Sequence, residues 1–127
     1  MIISRRIAGQ MGEGLAADFL MKKGYRILER NFRTKLGEID IVAKDKDTIC
    51  FIEVKSRTDF SFGSPLESIT AFKRKKLSQV ALSYLKQHNL FEAEARFDVV
   101  TIEDHAEGKP CIHLFQNAFE LTSRYGY

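Results

Sequence analysis

The stretch from Gly37 to Arg57, GEIDIVAKDKDTICFIEVKSR, leaves a chain of this kind the fewest choices. Two runs of β-type residues flank the polar centre Lys44-Asp45-Lys46-Asp47, which predicts a β-hairpin turning at Lys46-Asp47. That turn sets Ile39 opposite Val54, Ile41 opposite Ile52 and Ala43 opposite Cys50, an apolar face that belongs against a core. The other face carries Val42 and Phe51 near the turn, then Asp40 opposite Glu53 and Glu38 opposite Lys55. Sliding one strand by a residue would match apolar with charged side chains along the hairpin, so the parity of the pairing is strongly specified.

Opposed carboxylates on neighbouring strands, with Cβ atoms roughly 4.5–5.5 Å apart, destabilise a sheet unless something positive sits between them. A divalent cation is the natural compensator. Ligands that offer only oxygen suit hard ions such as Mg²⁺ or Mn²⁺, with water or substrate phosphate completing the shell. Lys55 lies two residues beyond Glu53 on the same face, placed to orient or deprotonate a water or to stabilise charge on a phosphate.

Asp40 followed by Glu53-Val54-Lys55 resembles the PD-(D/E)xK nuclease superfamily. GEIDIV and FIEVKSR, with GEGLAADFL and NFR upstream and FGSP and RFDVV downstream, are similar in identity and order to the motifs of the YraN family, a group of predicted bacterial endonucleases distantly similar to archaeal Holliday-junction resolvases. The resemblance implies a restriction-endonuclease-like α/β sandwich with a mixed central sheet flanked by helices. It also implies a site in which Asp40 and Glu53 are metal ligands, Lys55 is the catalytic lysine and Glu13 completes the acidic set. Ile39 stands where the superfamily label has proline, a departure the carboxylate chemistry does not depend on.

The 127 residues fit one nuclease-like domain over 1–127, long enough to bury a core. A hydrophobic fraction of 44% is ordinary for a globular α/β chain, and a net charge of +3 permits nucleic-acid binding without demanding it. Cys50 and Cys111 have no metal-like spacing and are expected as buried thiols in strands. Neither a signal peptide nor a membrane span is apparent, so a reducing bacterial cytoplasm is the expected compartment, with no membrane partner.

In chain order, Ala8, Gly12, Leu15, Ala16, Phe19 and Leu20 recur at helical spacing between about Gly9 and Lys23, closed by Lys22-Lys23-Gly24. Glu13 falls on the flank of that stripe, where a glutamate is usually a solvated surface residue. Only the matching GE of the family motif gives it a place in the site. Gly12 would allow the helix to pack closely on the sheet.

A strand follows over Tyr25–Arg33. Arg33 and Lys35, and Arg57 at the far end of the hairpin, are candidates to touch phosphate, or else to protect a solvated edge. A loop with Phe60 and Phe62 precedes a helix that starts either at the capping box Ser64-Pro65-Leu66-Glu67 or at Thr70, and runs to about His88 over Leu77, Val80, Ala81, Tyr84 and Leu85. Lys73, Arg74, Lys75 and Lys76 crowd its positive end, which suits either a docked phosphodiester backbone or a plain solvated face.

The run Ala95–Glu103 reads as a buried strand. Pro110–Phe115 is its partner across the turn at His105, and a polar tail starts at Asn117. Asp98 inside the buried strand is expected to be structural. The three histidines carry no ligand spacing.

The leading expectation is therefore metal-dependent phosphodiester hydrolysis of nucleic acid, with structured or branched DNA as the substrate class implied by the resolvase similarity. The principal alternative is a nucleic-acid-binding module that keeps the fold and does not cut, with Glu38 and Lys55 as a cross-strand ion pair. A weaker one is a protein-binding scaffold using the Phe60/Phe62 loop. Cutting two strands makes a homodimer attractive, although no long exposed heptad is present to build one.

Overall fold

The hairpin anticipated over residues 37–57 forms the middle of a five-stranded sheet in a computed structural model that describes residues 5–57, 69–103 and 110–120, with side chains in 12–56, 69–103 and 110–120. The elements are α1 (Arg5–Lys22), β1 (Arg26–Thr34), β2 (Gly37–Asp45), β3 (Thr48–Arg57), α2 (Ala71–Gln87), β4 (Ala95–Glu103) and β5 (Cys111–Phe119). Strand order in the sheet follows the chain, β1-β2-β3-β4-β5. Among the described strands only β3 and β4 run parallel, joined by the crossover that contains α2. This is the mixed sheet between helices that the sequence predicts.

Both helices end on a residue that tolerates the left-handed region. Gly24 (φ 96°) closes α1, where Tyr25 N–H reaches the Leu20 carbonyl and Gly24 N–H that of Met21. Asn89 (φ 56°) closes α2 in the same pattern, with Leu90 N–H on Leu85 and Asn89 N–H on Lys86. Thr70 caps the start of α2, accepting from Lys73 N–H at 3.1 Å, so the later of the two predicted starts is the one used.

Each helix covers one side of the sheet. On the α2 side, Leu77, Val80, Ala81, Tyr84 and Leu85 pack against Phe32, Ile39, Val42, Phe51, Phe97 and Val99. Tyr84 meets Phe32 and Phe51 edge-on at ring distances of 5.1 and 5.8 Å. On the α1 side, Ala16 and Leu20 pack on Ile41, Ala43, Cys50, Ile52, Val100 and Ile102. With both faces covered, β4 is buried along most of its length, whereas β5 is half open as an edge strand.

That edge position corrects one expectation. Cys50 is buried, but Cys111 is exposed at the start of β5. A second correction concerns the tail: β5 continues through Asn117 to Phe119, because Asn117 N–H donates to Asp98 Oδ1 at 2.9 Å and Phe119 stacks on Phe97 at 4.4 Å. The Phe60/Phe62 loop, the Ser64–Glu67 capping box, the turn at His105 and the residues after Glu120 lie outside the described residues. Among the described residues no helix is long and apolar enough to cross a membrane.

Asp98 is structural, as expected. Fully buried, it accepts from Tyr25 Oη at 2.9 Å, from Arg96 Nε at 3.0 and 3.2 Å, and from Asn117 N–H. Arg96 Nη2 also donates to Asp45 Oδ2 at 2.8 Å and to Tyr25 Oη at 2.9 Å, and Gln116 Nε2 donates to the same hydroxyl at 2.8 Å. The network ties the end of α1 to β2, β4 and β5 with its lone pairs and protons matched, the condition under which buried charge is tolerated.

Candidate active site

The backbone opens where the acids gather. The β2/β3 ladder holds the predicted register from Asp45↔Thr48 to Ile41↔Ile52. Beyond it the expected pairs Ile39/Val54, Asp40/Glu53 and Glu38/Lys55 are not part of the ladder. Val54 N–H instead donates to the Asp40 carboxylate at 2.8 Å, so a side chain takes the donor that a strand carbonyl would otherwise use. Alternation changes at the same place: Ile41 packs on the α1 side and Ile39 on the α2 side, which corrects their predicted sharing of one face. On neighbouring β1, Asn31 adopts φ 56° between Arg30, which faces Glu13 of α1, and Phe32, which packs under α2. Asparagine is among the few residues that reach this conformation at modest cost.

Glu13, Glu38 and Asp40 present carboxylate oxygens within 4.8 Å of one another. Gly12 lets α1 bring Glu13 in: a Cβ there would lie 2.6 Å from Ser56 Oγ on β3, and that hydroxyl would have to move. With its nitrogen turned to the acids, the Asn31 amide donates to Glu38 Oε1 at 2.8 Å and to Glu13 Oε2 at 3.1 Å. Arg30 lies 3.9 Å from Glu13, and Arg33 3.1 Å from Glu38. The Glu38–Lys55 ion pair envisaged for a non-cutting module is thus replaced by Glu38–Arg33.

Glu53 stands beside this triplet, 9% exposed. Its Oε2 faces Lys73 Nζ at 3.0 Å and Lys55 Nζ at 3.9 Å. Asp40 shows the strain of the arrangement. Burial pushes its pKa up to about 8, helped by the charge of Glu53 and, more weakly, of Glu13, and opposed by the Val54 N–H bond. Lys55 is lowered by burial and then by the neighbouring ammonium of Lys73. For Lys73 burial works downward too, but the hydrogen bond shared with Lys55 and the charge of Glu53 outweigh it and hold the group raised.

The four residues expected in the site, Glu13, Asp40, Glu53 and Lys55, come together from α1, β2 and β3. The basic residues divide. Lys73 joins the acids, and Arg74 turns away, its Nε on the Ile69 carbonyl at 3.1 Å and its guanidinium over the Phe119 ring at 5.4 Å. Arg74 thereby ties α2 to β5. Lys35, Lys75 and Lys76 are exposed, Arg33 is committed to Glu38, and the side chain of Arg57 lies outside the described residues. Two members were missed. Glu38 stands opposite Lys55 in the predicted register, with an ion pair only in the non-cutting alternative, although it lies two residues before Asp40 on the same strand, and Asn31 carries a signal only as an asparagine in mid-strand.

The donor set is oxygen throughout and crowded enough to hold protons on a carboxylate near neutral pH, which fits a hard divalent cation. The comparisons agree with the motif reading. Residues 12–102 match the model of the uncharacterised protein family UPF0102. The chain belongs to this family. A UPF0102 protein from Desulfosudis oleivorans is 47% identical over 122 residues, covering 96% of this chain and 97% of its own, and one from Trichlorobacter lovleyi is 46% identical over 115 residues, covering 90% and 91%. Among solved structures, that of Pyrococcus furiosus SfsA in complex with Ca²⁺ aligns with a TM-score of 0.44 at 14% identity, over 91% of this chain and 64% of SfsA. UPF0102 is the YraN family whose motifs the sequence carries, and its matched segment spans all four acids, Lys55 and Lys73.

Proposed function

We propose that this UPF0102 protein hydrolyses phosphodiester bonds in nucleic acid with the help of Mg²⁺ or Mn²⁺, and that its substrate is DNA carrying a branch, flap or other non-duplex feature. The observation that carries the reading is the gathering of Glu13, Glu38, Asp40 and Glu53 beside Lys55 at the open end of one hairpin, with Asp40 driven up to about 8. Asp40 and Glu53 would hold the ion, with Glu13 and Glu38 adding charge and orientation. When bound, such an ion polarises a phosphoryl oxygen and lowers the pKa of its water. Lys55, half-buried and lowered, is placed to accept a proton from that water or to hold the charge developing on phosphate. Lys35, Lys75 and Lys76 offer exposed cations to the flanking backbone.

A second reading rests on the ion pairs. With Lys73 on Glu53, Arg33 on Glu38 and Arg30 on Glu13, three of the acids already have partners, as they would in a module that binds nucleic acid without cutting it.

The test is a panel of branched, flapped, single-stranded and duplex substrates with Mn²⁺, comparing wild type with Lys55→Ala. The nuclease reading expects cleavage of the non-duplex members, reduced about 100-fold or more in the variant. Equal cleavage by both proteins would exclude this site. Salt-sensitive binding without cleavage, together with no Mn²⁺ site sensitive to Asp40→Asn, would establish the binding module.

A further inference from the structure

Two ammonium groups converge on one oxygen of Glu53, and they arrive by different routes. Lys55 is fixed on β3 two residues from the carboxylate it faces. Lys73 comes from the first turn of α2, on the crossover between β3 and β4, and sits the closer of the two at 3.0 Å. The Glu13, Glu38 and Asp40 oxygens form a triplet that Glu53 does not enter.

The root of Lys73 is pinned, since its backbone N–H donates to Thr70 Oγ1. Its side chain is 39% exposed, so the long stem can swing without disturbing the helix. A cation in the first turn of a helix is opposed by the macrodipole, and no acidic residue of α2 offsets it there. Glu53 is therefore what Lys73 gains by standing at that position.

We infer that Lys73 has two partners in turn: it neutralises Glu53 while no divalent ion is bound and, once Glu53 serves as a ligand, turns its ammonium toward the phosphate in the site. The inference rests on the proposed nuclease reading, in which Glu53 helps to hold an ion. It gives Lys73 opposite effects on the two ligands. As a competitor for Glu53 it weakens ion binding, and as a released cation it strengthens phosphate binding. A purely structural partner of Glu53 would support both.

The test measures Mn²⁺ affinity calorimetrically for the full chain as wild type, K73M, K73R and the distant control K46M, and then flap-DNA affinity with Mn²⁺ in a Lys55→Ala background. Loss of a part-exposed ion pair predicts that K73M binds Mn²⁺ about three- to fivefold more tightly. DNA binding in the presence of Mn²⁺ weakens by a similar factor, K73R returns both values toward wild type, and K46M alters neither. K73Q replaces K73M if melting curves show that K73M has lost its fold. Unchanged or weaker Mn²⁺ binding in K73M or K73Q would overturn the inference. A wild type that binds no Mn²⁺, or a site that persists in Asp40→Asn, would instead overturn the nuclease reading, a result separable from the first because it is seen without any change at Lys73.

Discussion

Asp98 and Asp40 are carboxylates on strands of one sheet, and their surroundings are opposites. Around Asp98, toward the hairpin turn, a tyrosine, an arginine and a backbone N–H converge until every oxygen has a donor, and Arg96 carries its spare N–H groups on to Asp45 and Tyr25. Around Asp40, toward the open end of the hairpin, one backbone N–H serves a carboxylate crowded by Glu53 and Glu13. The first cluster uses charge to fix the positions of four elements. The second gathers like charges, and burial with that crowding holds Asp40 well above the ordinary carboxylate range.

The sharpest way to break the contrast is to remove each carboxylate in turn. Asp98→Ala leaves the Tyr25 hydroxyl, Arg96 Nε and Asn117 N–H without their acceptor and should cost about 3–5 kcal/mol in urea unfolding. Asp40→Asn keeps an acceptor for Val54 N–H and is neutral without taking up a proton, so the ion-free protein should gain about 1 kcal/mol at neutral pH. Losses of equal size would show that the two clusters are alike.

The pH dependence separates them further. The folded pKa of Asp40 lies above its ordinary value of 3.8, so the folded state binds the proton more tightly than the unfolded chain. Its contribution is complete below about pH 4 and is lost as pH rises toward about 8. Thermal melts of the ion-free protein should fall through that window, and Asp40→Asn should flatten the fall. Saturating Mn²⁺ should reverse it. Tyr25 follows the same rule higher up: burial raises it from 10 to about 12, so the network loses stability only as pH climbs through that range. Tyr25→Phe should remove this alkaline limb and cost about 1–2 kcal/mol at neutral pH, through the lost donor to Asp98 Oδ2 and the unpaired Gln116 amide.

The smallest effect expected is at the exposed cations. Neutralising Lys75 and Lys76 together should lower the salt slope of DNA binding by roughly one per lysine while leaving unfolding within about 0.5 kcal/mol. A change in stability instead would tie them to the fold.

The hairpin register was legible because strand alternation has a period of two and the polar centre allows one turn, and the observed pairs from Asp45↔Thr48 to Ile41↔Ile52 follow it. Asp40, Glu53, Lys55 and Glu13 were legible as a group, the last only through the family motif. Beyond Ile41 the pattern stops being informative, since a side chain replaces a ladder carbonyl and Asn31 turns the backbone through a region that no hydrophobic period encodes. Glu38 lies with Asp40 as the alternation predicts, but its predicted partner Lys55 in place of Arg33 kept it out of the ligand candidates. The run Lys73–Lys76 looked uniform, yet a helix sends neighbours to different sides, so Lys73 reaches Glu53 while Arg74 reaches β5. The partners of Asp98 were out of reach for another reason: Tyr25 and Gln116 lie 91 residues apart, and only the closed sheet makes them neighbours.

The parallel pairing of β3 with β4 has a bearing on when the site comes into being. A hairpin can zip as soon as both arms exist, but a parallel neighbour must wait for its connection to be synthesised and folded. The four acids belong to the first 53 positions of the chain, and Lys73, the nearer of the two lysines that face Glu53, rides on the connection itself. On that order the acids precede Lys73 in synthesis, and the prediction is that the β3/β4 pairing forms together with the closure of the site. Pulse-labelling hydrogen exchange would register that step as protection at Val54 appearing together with protection at Val99.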